Sequence, residues 1–267
     1  LHNDERVMPG LHWYDRSVPA LRGRFGVLAC ALGVLNATPI PTTRAALPFG
    51  VGERLSYRVH VDGFGAIGRA TMTVTPSVSI RGTETYLLRS EIRAGFGPLR
   101  GSDVSESWLD PDRMRILRFH ERERRLLRTR EVRVEVFPDE QRWTAADGTS
   151  GASLTDTPLD ELSFIYFLRS LPQEIGKTYS FDRHFDATRN PITVRVMAGD
   201  TITTRAGTFP TVVMEMHVLD PRRYRGEGVI RVSLSTDACR IPVRIESSIP
   251  TVGSLTMVLD SAERGNP

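Results

Sequence analysis

Cysteine is scarce in this chain of 267 residues, which contains only two. Cys30 lies inside an apolar stretch near the start that resembles an export signal, so Cys239 alone remains in the rest of the chain. Removal of such a signal therefore excludes an internal disulfide. This cysteine usage allows a location in the cell envelope but does not require one.

Long hydrophobic runs are missing as well. The most apolar run, 25–35, has about 11 residues, and a helix needs ~20 to cross a bilayer. Arg22 and Arg24 precede this run and small residues follow it, as in a secretory signal peptide. We therefore predict that residues 1–46 are a signal peptide with a flexible extension, and that the protein is exported to the periplasm or outer envelope. Two alternatives stay open: lipid attachment at Cys30, and an apolar helix that remains with the fold.

The common catalytic motifs are also absent. The sequence has no Gly-x-Ser-x-Gly elbow, no His-Glu-x-x-His pair and no phosphate-binding glycine loop. The histidines beyond the signal are far apart, without a pair at metal-ligand spacing. They are His60, His120, His184 and His217. We therefore predict no catalytic residue, no metal site and no cofactor, with an enzyme site assembled from distant strands as the open alternative.

From Phe49 onward the dominant hydrophobic period is two. Leu55, Tyr57 and Val59 alternate with polar residues, which is typical of an antiparallel strand with one buried face. The alternation returns at Ala70/Met72/Val74, Tyr86/Leu88, Val132/Val134/Val136, Val212/Met214/Met216/Val218, Ile230/Val232/Leu234, Ile241/Val243/Ile245 and Leu255/Met257/Leu259. Turn sequences such as Asp62-Gly63 separate these stretches. The pattern predicts a mainly antiparallel all-β fold, a curved sheet or barrel-like domain, in one domain over residues 47–267.

One segment departs from this period and predicts a buried helix near residues 158–170. Thr157 would cap it, Pro158 would occupy its first position, and Asp160 would complete a capping box. The following residues are apolar nearly all round up to Pro172, so the helix should pack inside the domain.

Several spaced motifs resemble the DUF3108 family of exported bacterial proteins. The opening Phe49-x-x-Gly52-Glu53-x-Leu55-x-Tyr57 is similar to the first family motif, and the stretch from Asp160 to Arg169 is similar to the central helix motif. Further similarities are at Ser107-Trp108-Leu109-Asp110-Pro111, Gly176-Lys177-x-Tyr179, Ala206-Gly207-Thr208-Phe209 and Arg240-Ile241-Pro242-Val243. Leu234 departs from the family, whose members often carry an aromatic residue there. The resemblance implies an envelope location and an all-β fold, and it supplies no catalytic residues.

The predicted helix provides the first candidate binding site. A curved sheet around an aromatic helix is a shape that can hold an apolar or lipid-like ligand. Phe164, Tyr166 and Phe167 would line such a cavity, and Arg169 would meet an acidic head group. Ordinary core packing is the alternative for all four residues.

The arginine-rich stretch 113–133 provides the second candidate. Its arginines would contact an anionic surface, and we single out Arg118, Arg122, Arg125 and Arg128. Aromatic residues are rare among them, so we expect no nucleic acid partner. The predicted partner is a lipid or another envelope component, with peripheral membrane contact. A hairpin whose charged outer face is neutralised across its strands is the alternative.

Overall fold

The computed structural model describes residues 47–96, 99–125, 128–220, 226–249 and 253–266. The predictions made for residues 1–46, including lipid attachment at Cys30, lie outside this range. Among the described residues, no helix is long and apolar enough to cross a membrane.

The strands form a single antiparallel sheet in the order β8-β7-β6-β5-β4-β3-β2-β1-β14-β13-β12-β11-β10-β9. They are β1 (Arg54–Val61), β2 (Gly65–Pro76), β3 (Tyr86–Phe96), β4 (Leu99–Asp110), β5 (Arg115–Arg125), β6 (Arg128–Phe137), β7 (Arg142–Ala145), β8 (Ser150–Ala152), β9 (Thr178–Phe181), β10 (Ile192–Thr204), β11 (Gly207–Asp220), β12 (Gly226–Ser235), β13 (Pro242–Ile249) and β14 (Gly253–Glu263). The prediction of a mainly antiparallel all-β fold is confirmed. The sheet is not closed, because β8 and β9 are its two edges.

One face of the sheet, called the inner face here, carries the core. Leu55, Tyr57 and Val59 on β1 are buried, and the strand register places Ala70 and Met72 of β2 beside them on the same face. Side chains alternate between the two faces along each strand, so the intervening polar residues point to the outer face. The period-two pattern therefore predicted correctly which residues of these strands are buried.

The two edge strands are short and are joined by the longest crossover of the fold, 153–177. This crossover contains α1 (Glu161–Leu168), which packs against β3 and β4. Just before α1, Leu159 forms a parallel bridge with His184, and the Ile116 amide donates to the Pro158 carbonyl. The crossover is thus tied, just before the helix, to β5 and to the segment between β9 and β10.

These bonds explain why the predicted helix start was wrong. Pro158 and Leu159 already use their backbone in pairing, so the helix begins at Glu161 with Asp160 as its N-cap. Ser163 completes the capping box that had been assigned to Asp160. The regular helix ends at Leu168, before the predicted end at residue 170.

Candidate functional site

The predicted lipid-contacting residues of α1 lie in the core. Phe164 and Tyr166 have no exposed surface, whereas Phe167 is half-buried. Tyr166 packs edge-on against Phe49 with ring centroids 4.8 Å apart, and Phe167 packs against Phe181 at 5.1 Å. Aromatic pairs at these distances stabilise one another beyond simple burial. The inner part of α1 is therefore covered by protein side chains.

Arg169 follows α1 directly and is fully buried. Its Nη1 and Nη2 atoms each donate to one oxygen of Glu53, both at 2.7 Å. Nη2 also donates to the carbonyls of Pro48, at 2.7 Å, and Cys239, at 2.9 Å. Burial alone would lower the pKa of the guanidinium, but the hydrogen bonds and charge of Glu53 raise the pKa above its ordinary value. The two-pronged geometry is the strong form of an arginine–carboxylate pair.

The same contacts unite two sequence motifs that lie more than a hundred residues apart. Phe49, Glu53 and Tyr57 come from the opening motif, and Tyr166 and Arg169 come from the helix motif. The Tyr57 hydroxyl donates to the Pro242 carbonyl at 2.9 Å. We call these five motif residues the motif cluster. Glu53, the partner of Arg169, was not identified from the sequence, where only the family resemblance marks it.

Asp160, at the other end of α1 from Arg169, is a second buried acid. Its Oδ1 accepts the Ser163 backbone amide at 2.9 Å, as an N-cap should. Its Oδ2 is buried without a hydrogen bond, as is the hydroxyl of Ser107 on β4, within the described part of the chain. Burial outweighs the N-cap hydrogen bond and raises the pKa of Asp160 to about 7.

The four singled-out arginines of the hairpin do not share one face. Phe119 of β5 is buried on the inner face, so Arg118 and Arg122 point outward while Arg125 points inward. Arg128 lies opposite Arg125 in the last pair of the hairpin and therefore also lies on the inner face. The structure places two of the four on each face rather than all four in one patch.

On the outer face the hairpin charges are partly neutralised across strands. Arg118 pairs with Glu135, and Arg122 contacts Glu131 at 3.2 Å. His120 lies between Glu131, at 2.8 Å, and Glu106, at 3.1 Å. Hydrogen bonds from Arg133, His120 and Arg122 lower the pKa of Glu131 to about 2. The cross-strand neutralisation considered from the sequence is therefore present here.

Further along the outer face the neutralisation is incomplete, and an open groove begins there. It has a volume of about 770 Å³ and runs across β2, β3, β4 and β5. We call it the arginine groove; its arginines are Arg93, Arg100, Arg122 and Arg124. Arg93 pairs with Glu91 at 2.5 Å. Within the described ranges, Arg100 and Arg124 are exposed and form no ion pair.

The floor of the arginine groove is not uniformly polar. Ile67 and Val104 lie in it beside Ser102 and the backbone of Ala94 and Gly101. The groove can therefore meet a negatively charged group and a short apolar segment at once. Sequence reasoning singled out Arg122 and included Arg124 only as part of the stretch 113–133. It missed Arg93 and Arg100, because this neighbourhood arises from the pairing of Arg93 with Ser102 and of Ser102 with Arg124.

Solved structures show which fold this chain resembles. A β-barrel-like protein of DUF1849 from Brucella abortus has a TM-score of 0.57 at 12% identity, with 82% of this chain and 99% of that chain covered. A second structure is a protein from Bacteroides fragilis that is provisionally named an exported protein with a YmcC-like fold. Its TM-score is 0.31 at 12% identity, with 82% of this chain and 98% of that chain covered. A protein from Parabacteroides distasonis, provisionally named a lipoprotein, has a TM-score of 0.32 at 10% identity over 81% and 98%.

The first likeness shows the fold alone. No curated protein matches the chain. One family model matches the chain over residues 56–260, and the family is described as a protein of unknown function. The matched range includes the arginine groove and most of the motif cluster. The chain is a member of this family, DUF3108, as its spaced motifs predicted.

Proposed function

We propose that this protein is a non-catalytic module of the bacterial cell envelope that binds an anionic, lipid-like ligand in the arginine groove. The observation that carries the proposal is the pair of exposed arginines, Arg100 and Arg124, which have no counter-charge among the described residues. Arginine binds phosphate and carboxylate groups through two parallel hydrogen bonds. A groove of about 770 Å³ also lies within the size range of ordinary ligand sites.

The groove suits such a ligand better than the surroundings of α1 do. Phe164, Tyr166 and Arg169 have no exposed surface, and the donors of Arg169 already serve Glu53 and two carbonyls. In the groove, Ile67 and Val104 supply the apolar contact that the α1 proposal assigned to the aromatic residues. We therefore place the lipid-like ligand at the outer face of the sheet.

Export supports the envelope part of the proposal. Arg22, Arg24 and the short apolar run after them have the order of a secretory signal. The non-catalytic part is supported by the separation of the histidines. His60 is on β1, His120 on β5 and His217 on β11, none of which are neighbours in the sheet, and His184 lies in the segment between β9 and β10. Fractionation of cells that produce the protein should recover it in the envelope.

Titration calorimetry with decyl phosphate, kept below its micelle concentration, tests the groove. We expect saturable binding of one molecule, and no binding of the uncharged decyl maltoside. Replacing both Arg100 and Arg124 with glutamine should weaken decyl phosphate binding by about thirtyfold to a thousandfold, since each lost charge-assisted contact contributes about 1–2 kcal/mol.

The matched control replaces Arg54 and Arg195, which are exposed on β1 and β10 away from the groove. This control removes the same net charge as the test variant. Because the two positions lie away from the groove, it should leave decyl phosphate binding unchanged. Equal weakening by both double substitutions, or equal binding of the charged and uncharged detergents, would show that the groove is not the site.

A further inference from the structure

His120 lies between two carboxylates on the outer face of the sheet. Its Nδ1 is 3.1 Å from Oε2 of Glu106 on β4, and its Nε2 is 2.8 Å from Oε1 of Glu131 on β6. A neutral imidazole has one donor nitrogen and one acceptor nitrogen, whereas an ionised carboxylate only accepts hydrogen bonds. Both contacts are therefore satisfied only when the ring carries two protons, and the geometry around His120 fits the charged imidazolium.

Glu131 is shared by three basic side chains. Its Oε1 accepts from Nε and Nη2 of Arg133, at 3.0 and 2.7 Å, from His120 at 2.8 Å, and from Nη2 of Arg122 at 3.2 Å. The contact with Arg122 is the longest of these. Hydrogen bonds from the three side chains lower the pKa of Glu131 to about 2, so this carboxylate stays ionised near neutral pH. A change of charge at His120 therefore changes how strongly Glu131 holds Arg122.

Charged side chains surround His120 on its own strand and on the strands next to it. They are Arg89 on β3, Glu106 on β4, Arg118 and Arg122 on β5, and Glu131, Arg133 and Glu135 on β6. Carboxyl and guanidinium side chains ordinarily titrate far from neutral pH, whereas histidine titrates between about pH 5 and pH 8. His120 is therefore the member of this network whose charge changes in that range.

Arg122 belongs both to this network and to the arginine groove. It lies directly opposite Glu131 in the pairing of β5 with β6, two residues from His120 on the same face. It also lines the groove in which the anionic ligand is proposed to bind. A guanidinium next to a carboxylate attracts a second anion less strongly, because the carboxylate offsets its charge. The hold of Glu131 on Arg122 therefore limits what this arginine can contribute to ligand binding.

We propose that proton binding by His120 regulates the arginine groove, by weakening the hold of Glu131 on Arg122 when the pH falls. At the acidic end of the histidine range, the imidazolium donates to Glu131 and offsets its charge. Arg122 then becomes available to the ligand, and the imidazolium adds positive charge beside the groove. At the alkaline end the proton is lost, the neutral ring can donate to only one of its two carboxylates, and Glu131 depends more on Arg122. This inference rests on the proposed function, since it assigns a regulation to the same groove.

Titration calorimetry with decyl methyl phosphate, kept below its micelle concentration, tests the proposal. This phosphate diester carries one negative charge throughout the histidine range, so a change in its binding with pH comes from the protein. We expect binding by the full chain to be about fivefold tighter at about pH 5.5 than at about pH 8, which is the effect of releasing one arginine from an exposed ion pair.

Two substitutions in the network should change the affinity in opposite directions. His120→Gln stays neutral, so it should bind at both pH values as weakly as the unsubstituted protein does at about pH 8. Glu131→Gln releases Arg122 at every pH, so at about pH 8 it should bind about fivefold more tightly than the unsubstituted protein. Residues that only supported the fold would not produce this opposition.

β11 offers a matched control away from the groove. There Glu215 lies 3.3 Å from His217 and 2.7 Å from Arg231, and β1, β14, β13 and β12 separate this strand from β2. His217→Gln and Glu215→Gln make the same chemical changes as the two test variants. Both controls should keep the affinity and the pH dependence of the unsubstituted protein.

Nuclear magnetic resonance of the histidine rings gives an independent readout. Because linkage is reciprocal, a ligand that binds about fivefold more tightly to the protonated protein must tighten proton binding by the same factor. The ring protons of His120 should therefore titrate at a higher pH when decyl methyl phosphate saturates the protein, and those of His217 should not. Identical His120 titrations with and without ligand would contradict the proposal.

The outcomes separate this regulation from the proposed function. Equal binding by the unsubstituted protein at both pH values, or a pH dependence that survives in His120→Gln, would show that His120 does not regulate the groove. The groove proposal would then stand, since its own test is the loss of binding on replacing Arg100 and Arg124. Absence of binding at both pH values would overturn both.

Discussion

Replacing Arg169 with methionine is expected to lower the free energy of unfolding by about 3–5 kcal/mol. The change leaves the Glu53 carboxylate, which is 4% exposed, buried without its partner. It also removes donors from the carbonyls of Pro48 and Cys239. Removing one member of a buried ion pair costs far more than the pair itself contributes, because the remaining charge stays out of water. Urea unfolding followed by circular dichroism measures the loss.

Three further variants separate the charge from the packing. Arg195→Met, at an exposed position, should change the free energy of unfolding by less than about 1 kcal/mol. Arg169→Lys keeps the charge but loses the two-pronged contact, so its loss of unfolding free energy should lie between those of Arg195→Met and Arg169→Met. The double substitution Glu53→Leu with Arg169→Met removes both charges and should be more stable than Arg169→Met alone. If Arg169→Met lowers the free energy of unfolding no more than Arg195→Met does, the Arg169–Glu53 pair does not have the stabilising role described here.

The motif cluster explains why family membership was readable from sequence while function was not. Glu53 and Tyr57 stand at the start of β1, and Arg169 stands at the end of α1. Their contacts fix the crossover helix against the sheet, and none of these side chains offers exposed surface to a ligand. A match to these motifs therefore indicates the fold and not the ligand. The arginine groove lies elsewhere and contains none of the motif cluster.

Most of the strands could be predicted because their inner faces are apolar. Two long strands were missed for different reasons. β10 carries an alternation of Ile192, Val194 and Val196, all buried, from which this strand could have been predicted. β4 has no such signal, because its inner face presents Ser105 and Ser107 and only one buried aliphatic residue, Leu109. Ser107 is buried near Asp160, the N-cap of α1. A polar residue at this inner position is therefore explained by a contact distant in sequence and not by the local strand pattern.

The site was less predictable than the fold because register decides which arginines meet. A run of arginines in sequence suggests a single patch, yet alternation sends Arg122 outward and Arg125 inward. Conversely, Arg93 and Arg124 lie far apart in sequence and share the groove through Ser102 on the strand between them. Predicting the groove would require the pairing of three strands, one of which has no periodic signal.

Asp160 should make the protein less stable as the pH rises, which is the reverse of the usual behaviour of a carboxyl group. Burial raises its pKa from 3.8 to about 7 in the folded protein. The folded state therefore holds the proton more tightly than the unfolded state. The resulting stabilisation is complete below about pH 4 and is lost as the pH rises through 7. Between about pH 5 and pH 8 this group should lower the free energy of unfolding by about 3 kcal/mol.

Asparagine at this position isolates the effect. Asp160→Asn keeps an oxygen to accept the Ser163 amide but carries no charge, so its stability should not show this decline. At about pH 8 the variant should therefore be more stable than the unsubstituted protein. Asp139→Asn is the control, because hydrogen bonding and charge from Arg115 lower the pKa of that exposed carboxyl and place its titration below this range. Urea unfolding of all three proteins between about pH 5 and pH 8 tests this prediction. If the free energies of unfolding of Asp160→Asn and the unsubstituted protein change with pH in parallel, Asp160 is ionised throughout. In that case the N-terminal dipole of α1 would outweigh the cost of burial.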